Sequence, residues 1–187
     1  LILLHYAWTT QNGRAIIVTP VADQATLIYK QIDEFIESSD LIKDSVDRNV
    51  RSPRPQITFK NGSWITFFTS GTKSGGKSDA TRGQEAHLIV LDELDYMNSE
   101  DVDALYAMLT KTDDNQPDKI MIGASTPTGR QELFWEYCTN PQFGFTEFWF
   151  PSYCNPYWEA SFEAEMRILN TENVYRHEFE ADWGDAS

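Results

Sequence analysis

Two adjacent carboxylates, Asp92 and Glu93, are the residues of this sequence whose types and spacing best suit a chemical step. The run 88–92 before them predicts a strand buried on both faces, because apolar residues continue without alternation and Ile89 and Val90 are β-branched. In α/β folds, ligands bind beyond the carboxyl ends of such strands. Both acids are therefore predicted to lie where a ligand would bind.

Paired acids at this position suit phosphate chemistry. One carboxylate can hold Mg²⁺, directly or through water, while its neighbour polarises an attacking water molecule. That is the Walker B arrangement of nucleotide hydrolases. The alternative is a strand that ends in a solvated acidic turn, and the short pattern alone does not separate the two interpretations.

Length and composition limit the class of protein. With 187 residues, 41% hydrophobic and 13% aromatic, the chain is about one domain long and can bury a core. The sequence contains no run of about 20 apolar residues and no signal peptide, so we expect a cytosolic protein with no membrane partner. Two cysteines and three scattered histidines form neither a disulfide framework nor a zinc pattern, which favours structural roles for them.

The formal net charge of −14 argues against a broad non-specific DNA-binding face. Any contact with nucleic acid must be local. The richest basic neighbourhoods are residues 48–54 and the loop that carries Lys73, Lys77 and Arg82. The alternative is that both are ordinary solvated loops.

Hydrophobic periodicity predicts alternating strands and helices. Buried strands are predicted at 14–19, 88–92 and 119–124, an aromatic strand at 145–150, and a hairpin around Asn61 and Gly62. One helix is predicted over 21–37, and further helices are predicted to start at Asn98 or Ser99, at Asn155 and at Thr171. Another is predicted to start at Thr128, which forms a capping box with Gln131. Residues 41–55 are predicted to be an exposed connection. The pattern indicates an α/β fold with a mainly parallel sheet, helices on both faces and a β-hairpin insertion, in a single domain over residues 1–187.

Four segments occur in an informative order: Ile-Ile-Val-Thr-Pro at 16–20, Arg82-Gly83, Leu-Ile-Val-Leu-Asp-Glu at 88–93 and Gly-Ala-Ser-Thr-Pro-Thr-Gly at 123–129. In this order the chain resembles the ATPase domain of a phage terminase large subunit along nearly its whole length. The resemblance implies a P-loop NTPase-like motor that hydrolyses ATP with Mg²⁺ to drive double-stranded DNA into a capsid. It also implies a homo-oligomeric ring on the portal protein, a terminase small subunit as partner, and work in the host cytoplasm.

The resemblance assigns roles to individual residues. Asp92 would help to hold Mg²⁺, and Glu93 would be the catalytic carboxylate that orients and activates water. Ser125 and Thr126 match the family's coupling motif, although Ser-Thr-Pro is also a common turn sequence. Arg82 stands where such motors place an arginine that reaches a neighbouring subunit's nucleotide; the alternative is a solvent-facing loop arginine.

The sequence departs from the family in a major respect, because the Walker A loop expected before the first helix is missing. The chain also has no obvious counterpart of the family's nuclease domain, and we expect it to be a piece of a longer protein. The P-loop pattern G-x-x-x-x-G-K-[ST] does occur, with Gly71, Gly76, Lys77 and Ser78. Only the polar residues 79–86 separate it from the next strand, which favours a basic loop over a phosphate cradle.

Two other functions stay open at the level of the sequence. A helicase-like DNA translocase shares the Asp-Glu chemistry and the Ser-Thr motif. A catalytically inert interaction domain could retain the shape of an NTPase. A second motor domain downstream would favour the first, and a full-length protein without an upstream P-loop would favour the second.

Overall fold

The computed structural model describes residues 1–70, 85–109, 118–130 and 132–184. Contacts within the chain form two compact units, Leu1–Ala124 and Ser125–Ser187. The single domain predicted over residues 1–187 stays a prediction. No helix in the described ranges combines the length and the apolar character needed to traverse a lipid bilayer.

The first unit alternates helices and strands. In chain order it contains α1 (Ile2–Thr9), β1 (Arg14–Thr19), α2 (Ala22–Glu37), α3 (Asp40–Lys43), β2 (Val46–Val50), β3 (Gln56–Phe59), β4 (Trp64–Thr69), β5 (Leu88–Asp92), α4 (Ser99–Met108) and β6 (Ile120–Ala124). The strands form one sheet in the order β2-β3-β4-β1-β5-β6. Strands β4, β1, β5 and β6 pair in parallel, whereas β2, β3 and β4 pair antiparallel. The predicted mainly parallel α/β sheet is therefore confirmed.

The central strands β1, β4 and β5 are buried on both faces, as apolar strands require. The prediction that residues 119–124 form a buried strand is correct for the strand but wrong for its burial, because no residue of β6 is buried. Helices α1 and α2 contribute to one core with the alternate residues of β1, β3, β4 and β5. The buried side chains of this core include Leu3, Leu4, Ala7, Ala15, Ile17, Tyr29, Ile32, Ile36, Ile57, Phe59, Ile65, Phe67 and Leu88. Residues of the opposite face, Ile16, Val18, Ile89 and Leu91, are at most 2% exposed. Burial on both faces explains why these strands show no polar alternation.

The predicted hairpin is present between β3 and β4. Gly62 has φ +82°, and a Cβ there would overlap Asn12 Oδ1, so the turn needs glycine. Asn61 Nδ2 donates to the carbonyls of Ala7, Trp8 and Thr10 at 2.9–3.2 Å. One turn residue thereby satisfies carbonyls at the carboxyl end of α1, which would otherwise lack helical partners.

Helix α2 was predicted correctly, but its buried face differs from the predicted one. The helical spacing of Val21, Ala25, Ile28, Ile32 and Phe35 predicts that these residues form the buried face, but Val21 and Phe35 are 55% and 46% exposed. Val21 precedes the helix as its N-cap, so helical spacing counted from it begins one position too early. The face that packs on the sheet consists of Ala25, Tyr29, Ile32 and Ile36.

The prediction that residues 41–55 are only an exposed connection is wrong. This stretch contains most of α3 and the edge strand β2, which pairs antiparallel with β3. The polar composition of this stretch gives no apolar strand pattern, because an edge strand can carry charges that face solvent. Asp33 of α2 holds the strand in place by accepting from Asn49 Nδ2 at 2.5 Å and from Arg51 Nη2 at 2.9 Å.

The described part of the second unit contains three α-helices, α5 (Leu133–Thr139), α6 (Ala160–Leu169) and α7 (Glu172–Glu180). Thr171 caps α7 as predicted, accepting from the Val174 amide at 3.4 Å. Helix α5 starts at Leu133 with Glu132 as N-cap, so the capping box based on Thr128 is wrong; Gln131 lies outside the described residues. Helix α6 starts at Ala160 with Glu159 as N-cap, so the predicted start at Asn155 is wrong, and the helix buries none of its side chains.

The aromatic strand predicted at 145–150 is not formed. The backbone there has no regular secondary structure, and the described residues of this unit include no strand with which it could pair. Phe148 and Phe150 are about three-quarters exposed, with parallel rings whose centroids lie 6.4 Å apart. Aromatic residues favour strands only where a partner strand supplies hydrogen bonds and a packing surface.

A buried histidine and an ionic cluster lie together at the amino end of the parallel strands. Glu85 accepts from Arg14 Nη1 at 2.8 Å and from Lys119 Nζ at 3.3 Å. His87 is 3% exposed and its Nδ1 accepts from the Arg14 amide at 3.2 Å, which places the proton of the neutral ring on Nε2. Burial, followed by the positive charge of Lys119, lowers the pKa of His87.

We expect acid to destabilise the protein partly through His87. A histidine with a pKa below its unfolded value stabilises the fold fully above about pH 6.5, and that contribution is lost as pH falls through the folded pKa. His87→Asn keeps an acceptor but does not titrate. The fall in melting temperature between pH 7.5 and 5.5 should therefore be smaller in His87→Asn than in the parent. The exposed His5→Asn is the matched control, and an equal fall in all three proteins would contradict the prediction.

Candidate active site

Asp92 is the last residue of β5, an interior strand that pairs with β1 on one side and β6 on the other. Val18 lies opposite Leu91 and Ala124 lies opposite Asp92, so the three strands end at the same level. The predicted position of the first acid, at the carboxyl end of a buried parallel strand, is confirmed. In open α/β sheets this end of the strands is where ligands bind.

Glu93 adopts the left-handed conformation, with φ 58° and ψ 49°. For a residue with a side chain this conformation costs roughly 1–2 kcal/mol relative to the right-handed one. It turns the chain from the strand directly into a short 3₁₀ helix, Leu94–Tyr96, whose Leu94 and Asp95 are 2% and 3% exposed. A strained acidic residue between two well-buried segments points to a functional role for its side chain.

Leu94 fixes this turn against the neighbouring strand. A Cβ at Gly123 of β6 would lie 2.7 Å from Leu94 Cδ2, closer than two carbon atoms can approach. A side chain at position 123 would therefore require Leu94 to move. The turn that presents Glu93 is thus packed onto β6 as well as covalently joined to β5.

Gln24, in the first turn of α2, completes the surroundings of Asp92. Its Nε2 donates to Asp92 Oδ2 at 3.0 Å. Burial raises the pKa of Asp92, and the hydrogen bond from Gln24 offsets part of that rise by stabilising the ionised form. The sequence analysis did not identify Gln24, which is 68 positions from Asp92. The one feature that could have indicated it is that Gln24 is a polar residue in the first helical turn after the neighbouring strand.

The residues present fit a magnesium ion that arrives with a nucleotide. In the described part of the chain, no group of three or more His, Cys, Asp or Glu side chains is arranged to hold a metal ion. Mg²⁺ in phosphate-transfer sites commonly takes one or two carboxylates, with phosphate oxygens and water completing the octahedron. A single half-buried carboxylate at a strand end suits that mode, and the role of Asp92 as a magnesium ligand stays a prediction.

Other predicted site residues are placed differently. Arg82 and the P-loop-like residues Gly71, Gly76, Lys77 and Ser78 lie outside the described residues. The chain enters that segment at the carboxyl end of the sheet, where the Ser70 amide donates to Thr19 O at 2.8 Å.

Ser125 and Thr126 open the second compact unit. Ser125 Oγ lies 3.3 Å from the Thr126 carbonyl oxygen, to which it donates. Their role as a coupling motif stays a prediction.

The second unit has a cavity of its own, of about 520 Å³. Its lining combines aromatic rings with three carboxylates and consists of Glu147, Trp149, Tyr153, Glu180, Ala181, Asp182 and Trp183. Glu180 and Asp182 form ion pairs with Arg167 and Arg176, and the described residues that line the cavity include no lysine or arginine to hold the phosphates of a nucleotide. The strand end at Asp92 is therefore the better candidate for phosphate chemistry.

Comparison with known proteins gives structural matches only. No protein-family profile matches the sequence, and no curated protein does. The large terminase ATPase domain of Thermus phage P74-26 matches with a TM-score of 0.68 at 16% identity, over 96% of this chain and 80% of that one. The large terminase of a thermophilic bacteriophage matches with a TM-score of 0.72 at 14% identity, and that of bacteriophage HK97 with 0.69 at 14%.

The matches differ in how much of the other protein they cover. This chain spans 80% of the isolated ATPase domain but only 43% and 42% of the two longer large terminases. At these identities the likeness concerns the fold, and it extends over 96–97% of the chain. The chain has the fold of the ATPase domain of phage large terminases.

Proposed function

We propose that this chain is the ATPase motor domain of a viral DNA-packaging terminase large subunit, which hydrolyses ATP with Mg²⁺ to translocate double-stranded DNA into a capsid. One observation carries the proposal: Asp92 and Glu93 stand at the carboxyl end of an interior parallel strand, in a fold found in phage large-terminase ATPase domains. Solved structures of the thermophilic bacteriophage's large terminase in complex with ADP and with ATP-γ-S support a nucleotide as ligand.

The positions of Asp92 and Glu93 suit two different roles. Asp92 ends the regular strand and is held by Gln24, which suits a carboxylate that binds a cation in one fixed orientation. The ion would neutralise charge on the phosphates. Glu93, one residue further and in a strained turn, is the group that accepts a proton from the attacking water.

Contacts of the basic residues favour a restricted DNA-binding surface. Two arginines of the 48–54 neighbourhood have structural partners: Arg51 pairs with Asp33 at 2.9 Å, and Arg54 lies 4.5 Å from the centre of the Phe68 ring. With a net charge of −14, binding to double-stranded DNA therefore depends on a few local contacts. Such a motor would work in the host cytoplasm as a homo-oligomeric ring on the portal protein, with the terminase small subunit.

Replacing Glu93 by glutamine in the full-length protein should preserve ATP binding and abolish most hydrolysis. The amide has nearly the same shape but cannot accept the proton of the attacking water, so turnover should fall by about 100-fold or more. Steady-state ATPase rates and nucleotide calorimetry measure both quantities. Glu100→Gln, on the exposed first turn of α4, is the matched control, and near-wild-type turnover in Glu93→Gln would refute the assignment.

Lys77→Ala in the 187-residue chain tests the phosphate-binding element. If residues 71–78 form a basic loop, calorimetry should show weak or no ATP·Mg²⁺ binding by the chain, and the same result after the substitution. Tight binding that disappears in Lys77→Ala would instead identify residues 71–78 as the P-loop, because its lysine contacts the phosphates directly.

Subunit mixing tests Arg82 as a residue that acts on a neighbour's nucleotide. Arg82→Ala should leave nucleotide affinity nearly unchanged and remove much of the assembly-stimulated ATPase, because a missing transition-state cation affects chemistry more than binding. Arg82→Ala and Glu93→Gln subunits, each inactive alone, should regain partial activity when mixed. A mixture that assembles but stays inactive would place the action of Arg82 within its own subunit or restrict it to shaping the loop.

A further inference from the structure

The contact between Gln24 and Asp92 joins two parts of the chain that only the fold brings together. Strands β1 and β5 pair in parallel and end level, and α2 starts three residues after β1 ends. The first turn of α2 therefore lies beside the end of β5, where Gln24 Nε2 reaches Asp92 Oδ2 at 3.0 Å. Both residues are half-buried.

The backbone that carries Gln24 is fixed at the strand end. The amides of Gln24 and Ala25 donate to the Val21 carbonyl at 3.2 and 3.3 Å, and Thr19 Oγ1 donates to the same oxygen at 2.8 Å. Ala25, the next residue, is 6% exposed in the core. The donor is thus held by the strand, the helix start and the core, so its contact with Asp92 restrains the carboxylate.

The chemical type of the donor matters as much as its position. An amide is neutral, so Asp92 keeps its negative charge while one oxygen is occupied. Among the described residues, no lysine or arginine forms an ion pair with Asp92. A lysine at position 24 would have held the carboxylate equally well but would have cancelled the charge that attracts a cation.

We propose that Gln24 is a positioning residue for Asp92: its neutral amide occupies Oδ2, fixes the rotamer of the carboxylate without cancelling its charge, and leaves Oδ1 to take the divalent cation or its water. The inference rests on the function proposed above. Metal ligands commonly have such an outer partner, whose removal typically costs about tenfold or more in metal affinity. The helix that follows β1 thereby becomes part of the cation site without contacting the cation.

Two substitutions in the full-length protein separate positioning from simple structural support. Gln24→Met is similar in length and lacks the donor, whereas Gln24→Lys keeps a donor to Asp92 and adds a positive charge. Gln31→Met, on an exposed position of the same helix, is the matched control. The probe is Mn²⁺, whose binding is followed by electron paramagnetic resonance in the presence of ATP-γ-S, together with the melting temperature of each variant.

We expect Gln24→Met to weaken Mn²⁺ binding by about tenfold and Gln24→Lys to weaken it further, while Gln31→Met binds like the parent. A structural role alone predicts the opposite order, because the lysine would restore the bond to the carboxylate. Wild-type Mn²⁺ affinity in both folded Gln24 variants, or tighter binding by Gln24→Lys than by Gln24→Met, would overturn the inference.

A parallel Asp92→Asn variant keeps failure of this inference distinct from failure of the proposed function. If Asp92→Asn loses Mn²⁺ binding and ATP turnover while both Gln24 variants behave like the parent, only the role of Gln24 is refuted. If Asp92→Asn itself binds Mn²⁺ and hydrolyses ATP like the parent, the proposed function of the acidic pair fails. If the Gln24 variants lose affinity while Asp92→Asn does not, Gln24 does not act through Asp92, and the inference is overturned.

Discussion

Parallel pairing of β1 with β5 is the interaction on which the candidate site depends. It sets the ends of the two strands level, so that the residues after each strand meet at one end of the sheet. Asp92 comes from one strand and Gln24 from the turn of helix after the other. Either strand paired in a different register would bury the acid or separate it from its amide, because a shift by one residue also exchanges the faces of the sheet.

The two ends of the parallel strands carry charge in different ways. At the amino end, Glu85 pairs with both Arg14 and Lys119, and the buried His87 is held neutral. The charge of Glu85 is engaged in ion pairs there, which suits an end that supports the fold. At the carboxyl end, Asp92 is restrained by a neutral amide, so its charge stays available for a ligand. This contrast between the residues that precede β5 and the residue that ends it is an electrostatic argument for placing the proposed chemistry at the carboxyl end.

The sequence allowed the central part of the fold to be predicted, because strands buried on both faces leave a strong pattern. The run before Asp92 and the Asn61–Gly62 hairpin depend on local chemistry, and both were found. Strand β2 was missed because edge strands tolerate charges and show no such pattern. The segment 145–150 was wrongly predicted to be a strand, because its aromatic residues favour one. A strand also needs a partner strand, and that depends on the whole fold.

The candidate site could be predicted from the sequence only in part. Asp92 and Glu93 follow directly from the strand, whereas the left-handed turn at Glu93 and the contact with Gln24 arise from tertiary packing. Helix α2 illustrates the limit: its extent was predictable from periodicity, but its rotation about its own axis was not. Since that rotation decides where Gln24 points, the partner of Asp92 could not be named from the sequence.

The absence of a side chain at Gly123 of β6 affects Glu93, the acidic residue that follows β5. Leu94 fills the space beside Gly123, and Glu93 is the residue immediately before Leu94. Strand β6 and the turn that carries Glu93 are therefore in direct contact, and a side chain added at position 123 would shift Leu94, which one peptide bond joins to Glu93. The glycine of β6 thus contributes to the position of the acidic residue that follows β5.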